Sequence, residues 1–313
     1  MNREDDMQTF DTGSAPEKEQ ADRTARPQLR GRPTKGGLPG RRFRHTLGLT
    51  LLQLLVLAAV MLPLLWMISV SFKPDNEPFA IPARLWPENP TLSNYAGAFE
   101  PEFRRYFLNS AIVSISTILI SVTAGLLAAY SLSRFRVRGF GLVLLFIITA
   151  QVAPAATIII PLFQIVKTFD LLNTYVALVS AYVTITLPVA TWMLLGFIRG
   201  IPRELEEAAM CDGATRFQAF RLVVVPLARP GIAATAVWLA VVVWQEFLFA
   251  LSLTTSRNMR TVSVGMSDFI GQYGIRYGDL MASAVAVSIP VMVLFFFLQR
   301  YFVAGLTAGA VKG

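Results

Sequence analysis

Sulfur, imidazole and charge are all scarce in this chain. One cysteine, Cys211, and one histidine, His45, stand among 313 residues. An intrachain disulfide is therefore impossible, and a metal site of the His/Cys type cannot be assembled. Charged residues make up 15% of the chain, against about 25% in an ordinary soluble domain. The glycine-rich phosphate loop with its Lys-Ser/Thr ending is missing. So is any convincing nucleophile–base pair. These absences set aside a soluble enzyme, a disulfide scaffold and a nucleotide-hydrolysing domain. What the chain has instead is apolar residues, 54% of the total. They come in runs of about 20 separated by short charged loops, the pattern of membrane-spanning helices. The net charge of +8 then reads as membrane topology rather than as a nucleic-acid surface.

Residues 1–45 differ in composition. They are rich in Arg, Glu, Asp, Pro, Gly and Thr and poor in large apolar side chains, so they are expected to be a disordered tail. From Arg30 to Arg44 six basic residues occur without one acid. That block abuts the first apolar run, as a cytoplasmic flank does. The tail and the run after it are both too long for a cleaved signal peptide. The remainder, 46–313, predicts six spans. They lie near Leu47–Val70, Phe107–Leu132, Phe140–Phe163, Asn173–Ile198, Ala228–Leu251 and Met281–Val303. Pro154 and Pro161 are expected to kink the third, and Pro188 lies in the fourth. With the N-terminus in the cytoplasm, inside segments carry 20 Lys and Arg against 8 outside. Both termini are thus expected to be cytoplasmic.

The segment between spans four and five is the most informative. It predicts a short helix, a glycine turn and a second helix. Pro202 suits a first helical turn, and Glu204, Glu206 and Glu207 suit the positive end of a helix dipole. Gly213 can end the helix in a left-handed conformation. Thr215 and Gln218 have capping-box spacing, and Pro226 is expected to break the pattern before span five. By periodicity this is equally a membrane-surface hairpin without a partner.

The residues carry more than their period. Glu207-Ala208-Ala209, then three residues, Gly213, nine residues and Val223-Val224-Val225-Pro226 resemble the EAA loop of permease subunits of binding-protein-dependent ABC importers. Valine replaces both aliphatic positions of the usual Ile-x-Leu-Pro. Ser71-Phe72-Lys73-Pro74, Phe107-Leu108-Asn109-Ser110 and Trp244-Gln245-Glu246-Phe247 resemble the same family, in which Asn is commoner than Gln245. The ending Gly305-Leu306-Thr307-Ala308-Gly309-Ala310-Val311-Lys312-Gly313 is similar to the tails of carbohydrate permeases of the maltose and trehalose type. Resemblance covers residues 47–313.

This resemblance implies an all-α membrane protein with six transmembrane helices and the type I, maltose-permease-like fold of an ABC importer permease. It implies a transport subunit of a carbohydrate importer in a bacterial plasma (inner) membrane, not an enzyme. Its partners would be a second related permease, an ATP-binding subunit dimer, an extracytoplasmic sugar-binding protein and membrane lipid, with no nucleic acid. This chain would bind no cofactor and no metal, and ATP would be used by the partner ATPase. In the family the EAA helix docks in a groove of the ATPase. Glu207 would pair with a basic or donor group there, Ala208 and Ala209 would permit close approach, and Gly213 would make the turn. Asp212 either adds a polar contact or is a solvated helix end. Cys211 reads as a packing residue. The tail from Leu306 to Gly313 resembles a segment that reaches between the ATPase subunits.

Other readings stay open at this point. A permease of the same family could carry a glycerol phosphate or a polyol. A secondary transporter would need ionisable groups at mid-membrane, and Glu246 alone comes near, with a structural or gating role favoured for it. A channel would need a charged ring or filter loop. Tyr130, Gln151, Tyr182, Thr184, Thr186 and Trp192 have the chemistry of sugar contacts, but packing explains each, and no substrate-binding residue is assigned.

Overall fold

The computed structural model describes residues 39–74, 77–78, 81–82, 84–135, 139, 142, 145, 147, 149, 154–271 and 274–310. It falls into two units, residues 1–58 and 59–313. The described part of the first is helical. Helix α1 (Pro39–Ser71) starts ahead of the expected Leu47, since proline is at home in a first turn and arginine is a good helix former. Of the tail expected to be disordered, residues 1–38 lie outside the described residues.

The second unit is a helical bundle. After α1 come the short α2 (Ser93–Ala98) and the long α3 (Pro101–Arg134). Then follow α4 (Ala155–Thr168), α5 (Tyr175–Arg199), α6 (Glu204–Cys211) and α7 (Arg216–Ala219). A π-helical turn (Phe220–Val224) and α8 (Val225–Leu227) lead into α9 (Arg229–Trp244). The chain ends with α10 (Leu248–Leu253), α11 (Val262–Gly265) and α12 (Tyr277–Ala310). One antiparallel ribbon precedes α12, pairing Ile270 with Ile275 and Gly271 with Gly274.

Among the described residues four helices are long and apolar enough to cross a membrane: Gly48–Ser71, Pro101–Arg134, Tyr175–Arg199 and Tyr277–Phe297. A fifth arises if the bent pair Arg216–Leu227 and Arg229–Trp244, 69° apart, is one span. The expected third span falls largely on residues outside the description. Its described end, α4, has 14 residues, about 21 Å of helix against a ~30 Å apolar core. Pro154 does not kink this helix: it caps it, with ψ of 132°. The expected fifth span is interrupted. α9 stops at Trp244, and the chain restarts as α10 at Leu248.

The centre of the bundle is α3 against α5. Gly125 allows it: an added Cβ there would lie 3.0 Å from the Ala190 Cβ and 3.1 Å from the Thr191 nitrogen. One step along, Ser121 and Thr186 share a buried hydrogen bond of 2.7 Å. Leu126, Ala129 and Tyr130 then pack on Leu194, Leu195 and Ile198. A second cluster gathers Val113, Tyr182, Val243, Phe249 and Leu253.

Two of the sequence motifs serve as clasps at the other end of α3. Asn109 donates to the carbonyls of Asn258 and Arg260, both at 2.9 Å, and accepts from the Tyr175 hydroxyl at 2.7 Å. The Ser110 hydroxyl accepts from the Val262 nitrogen at 2.8 Å. Asn94 of α2 donates to the carbonyls of Ser71 and Lys73. The buried Lys73 ammonium bonds the Arg84 carbonyl at 2.6 Å over the Trp66 ring. α3 begins at Pro101, ahead of the expected Phe107, because Phe103 and Tyr106 bury their rings against Val262 and Phe269.

Candidate functional site: the α6–α7 hairpin

The loop that stood out in the sequence forms a hairpin at the Arg134 end of α3. α6 has Glu204, Glu206 and Glu207 in its first turn, where carboxylates favour the helix dipole. Pro202 lies outside the helix, because Arg203 takes the N-cap position. The far end of α6 closes as a Schellman motif. The Gly213 nitrogen bonds the Met210 carbonyl and the Ala214 nitrogen bonds the Ala209 carbonyl, at 3.1 and 3.0 Å. Gly213 has φ of +91°, the left-handed region that side chains resist. Thr215 opens α7 with a reciprocal capping box to Gln218.

Pro226 does not break the chain as expected. It lacks an N–H, and its ring would crowd the carbonyl four residues back. The preceding turn widens into a π-helix, in which the Val225 nitrogen reaches the Phe220 carbonyl. The bend comes two residues later, at Ala228, just before α9 starts with Arg229 and Pro230.

The hairpin has two dissimilar faces. Glu207, Ala208, Asp212 and Gly213 are exposed, and Ala209 is half-buried. Leu205, Phe217 and Leu222 are exposed beside them, the latter two at 68%. Cys211 is exposed as well, so it does not pack as expected: its position after Met210 turns it away from α3. The opposite face is clamped. Glu206, 5% exposed, is held by an ion pair with Arg134, both side chains 7% exposed. The Tyr130 hydroxyl donates to the second carboxylate oxygen at 3.0 Å. Arg134 also donates to the Ile201 carbonyl at 3.0 Å, and Arg203 reaches back to the Ser133 carbonyl at 2.5 Å. Phe220 packs against Tyr130, the rings tilted by 52° with centroids 4.6 Å apart. A polar cleft of about 160 Å3 runs between Tyr130, Arg134, Arg203, Glu206, Glu207 and Arg216.

Such a pair adds little net stability, because desolvation offsets the attraction, yet losing one partner costs about 3–5 kcal/mol. Its effect here is geometric. Glu206 was legible only as a dipole charge, and Arg134 only as one of the basic residues of the inside segments, since the two are 72 positions apart. The hint in the sequence is the order Leu205-Glu206: the apolar residue points out and the acid points in.

The interruption in span five is also built by one side chain. Glu246 accepts from the Phe249 and Ala250 nitrogens at 2.9 and 3.1 Å, filling the open donors at the start of α10. Tyr182, fully buried on α5, lies beside this carboxylate. The other residues with sugar-binding chemistry do not converge. Thr186 bonds Ser121 and Tyr130 bonds Glu206. Thr184 turns to its own helix, Trp192 is 57% exposed, and Gln151 lies outside the described residues.

A mostly helical bundle with four or five apolar spans among the described residues and a polar hairpin clamped to one end is the architecture of a membrane transport subunit. Residues 121–308 match the family described as binding-protein-dependent transport system inner membrane component. The chain belongs to this family: it is a multi-pass permease of the inner membrane and not an enzyme. It is 38% identical over 252 residues to the sulfoquinovosyl glycerol transport system permease protein SmoH of Agrobacterium fabrum, covering 80% of this chain and 88% of that one. It is 37% identical over 265 residues to the trehalose transport system permease protein SugB of Mycobacterium tuberculosis, covering 84% and 96%. Its fold is similar to that of a chain of a bacterial ABC transporter involved in the import of the acidic polysaccharide alginate. There the TM-score is 0.71 at 20% identity, over 85% of this chain and 99% of that one.

Proposed function

We propose that this chain is one of two permeases in a carbohydrate importer, and that Glu207, Ala208, Ala209, Asp212 and Gly213 form its dock for the ATPase. The observation that carries the reading is the two-faced hairpin. Its motif face is left open while the opposite face is fastened to α3. The small side chains of Ala208 and Gly213 let a partner backbone approach, and exposed Phe217 and Leu222 supply apolar area. The sugar class rests on relatives that carry trehalose and sulfoquinovosyl glycerol, both glycosides.

In this reading six spans cross the membrane, the third passing through 140–163. Both termini are cytoplasmic, as the 20 to 8 distribution of Lys and Arg favours. The segments 72–106 and 252–280 then face outward, to an extracytoplasmic sugar-binding protein. This chain holds no cofactor, and ATP is bound and hydrolysed by an ATPase dimer. Closure of that dimer moves the hairpin, and the spans switch between inward-open and outward-open forms.

Co-purification tests the dock. Glu207→Ala should reach the membrane at normal levels, retain at most about a tenth of the ATPase, a loss of about 1.4 kcal/mol or more, and fail to take up sugar. Trehalose, maltose and a sulfoquinovosyl glycoside form the uptake panel. Full recovery of the ATPase by the variant, with normal uptake, would refute the assignment.

A further inference from the structure

The hairpin is joined to the bundle in a way that its docking role does not require. A dock needs only the open face. Yet four hydrogen bonds cross from the last turn of α3 to segment 201–206. They are Arg134 Nε to the Glu206 carboxylate, Arg134 Nη2 to the Ile201 carbonyl, Arg203 Nη2 to the Ser133 carbonyl, and the Tyr130 hydroxyl to Glu206. Three of the four involve a charged donor, which makes them short and directional. They also fix the hairpin from both sides, since one guanidinium leaves α3 and the other returns to it. By contrast, the covalent route from α5 into the hairpin is Gly200-Ile201-Pro202, a turn with no helical hydrogen bonding of its own beyond Ile201.

We propose that Arg134 and Glu206 are positioning residues that form a rigid strut, so that α6 and the end of α3 move as one body throughout the transport cycle. The proposal rests on the docking reading above. A push on α6 then enters α3 directly. Gly125 lets α3 hand it to α5 through close backbone contact rather than through flexible side chains. Without the strut the push is absorbed in the Gly200–Pro202 turn, and ATP is spent without transport.

Two kinds of readout distinguish this from a role in folding. The first is the ratio of sugar moved to ATP hydrolysed in the reconstituted transporter. Loss of folding lowers both together. Glu206→Gln and Arg134→Met should lower the amount of folded transporter, but ATP hydrolysis per assembled transporter should stay within about twofold of the original, while uptake of trehalose per ATP falls about tenfold. The double variant Arg134→Met/Glu206→Leu refills the site with apolar volume and leaves no buried charge unpaired. It should recover more transport per ATP than either single variant. An unchanged ratio in both single variants overturns the strut.

The second readout does not depend on the sugar. Cys211 is the chain's one cysteine and is exposed, so a nitroxide placed there reports on the hairpin. A second goes on α3 by Ser131→Cys. The label-to-label distance should change by less than about 2 Å between nucleotide-free and ATP–vanadate-trapped transporter, the scale of adjustments within a packed interface. It should broaden in Glu206→Gln. A docked hairpin whose distance to α3 changes by more overturns the strut alone. A Cys211 spectrum indifferent to the ATPase subunits overturns the dock, and the strut with it.

Discussion

Gly213 shows how much one residue's backbone can decide. Its φ of +91° lets α6 close on itself and puts Thr215, two residues later, at the N-cap of α7. A β-branched residue there meets the steric penalty of the left-handed region, about 1–2 kcal/mol, and nothing else, since no atom lies within 4 Å of an added Cβ. Gly213→Val should therefore fold and insert normally, with its melting temperature lowered by a few degrees, but lose most uptake because the exposed face is misaligned. Normal uptake would mean that the turn tolerates distortion. The sequence displayed this glycine and the capping box plainly, because both are local signals. It concealed that Glu206 is interior and Cys211 exterior. Orientation about a helix of eight residues is set by what packs against it, and that partner is remote in sequence.

At the level of elements, composition located the long helices well and their ends poorly. α3 and α5 lie where apolar runs predicted, but aromatic burial extends α3 back to Pro101, and a carboxylate splits span five where the run of apolar letters continues. Glu246 reads as a liability within a span until the backbone donors it accepts from are seen. Pro226 is the converse case, a breaker absorbed by a π-turn. The α3–α5 contact is the element whose integrity matters most. Gly125→Leu would force a branched side chain into a gap where a methyl group is already at 3.0 Å. Overpacking of this kind costs about 1–3 kcal/mol. The variant should show a lowered melting temperature in detergent and weaker uptake, while still binding the ATPase, because the exposed residues Glu207, Ala208 and Gly213 take no part in the α3–α5 packing. Loss of ATPase binding would show that packing between α3 and α5 also sets the shape of the dock.

The molecule as a whole was most legible in what it cannot do. The lack of a phosphate loop and of a catalytic pair in the sequence pointed to a transport subunit rather than an enzyme, and the family, an inner membrane transport component, is of that kind. The sugar was not legible: Tyr130, Tyr182 and Thr186 are engaged within the bundle, and Trp192 is exposed. One consequence is testable at this scale. Vesicles holding both permeases but no ATPase should not accumulate labelled trehalose, whatever the proton or sodium gradient imposed. Gradient-driven uptake would make this chain a secondary carrier and Glu246 the first residue to suspect.

The buried pair of Arg134 and Glu206 has a further consequence, for descent. Losing either charge strands the other in a place with little water, so single changes at these positions are expensive and paired changes are cheap. Two sites 72 residues apart are thereby bound to one evolutionary fate. Lineages that drop the acid are expected to drop the base with it, and the two columns of any family alignment should vary together or not at all.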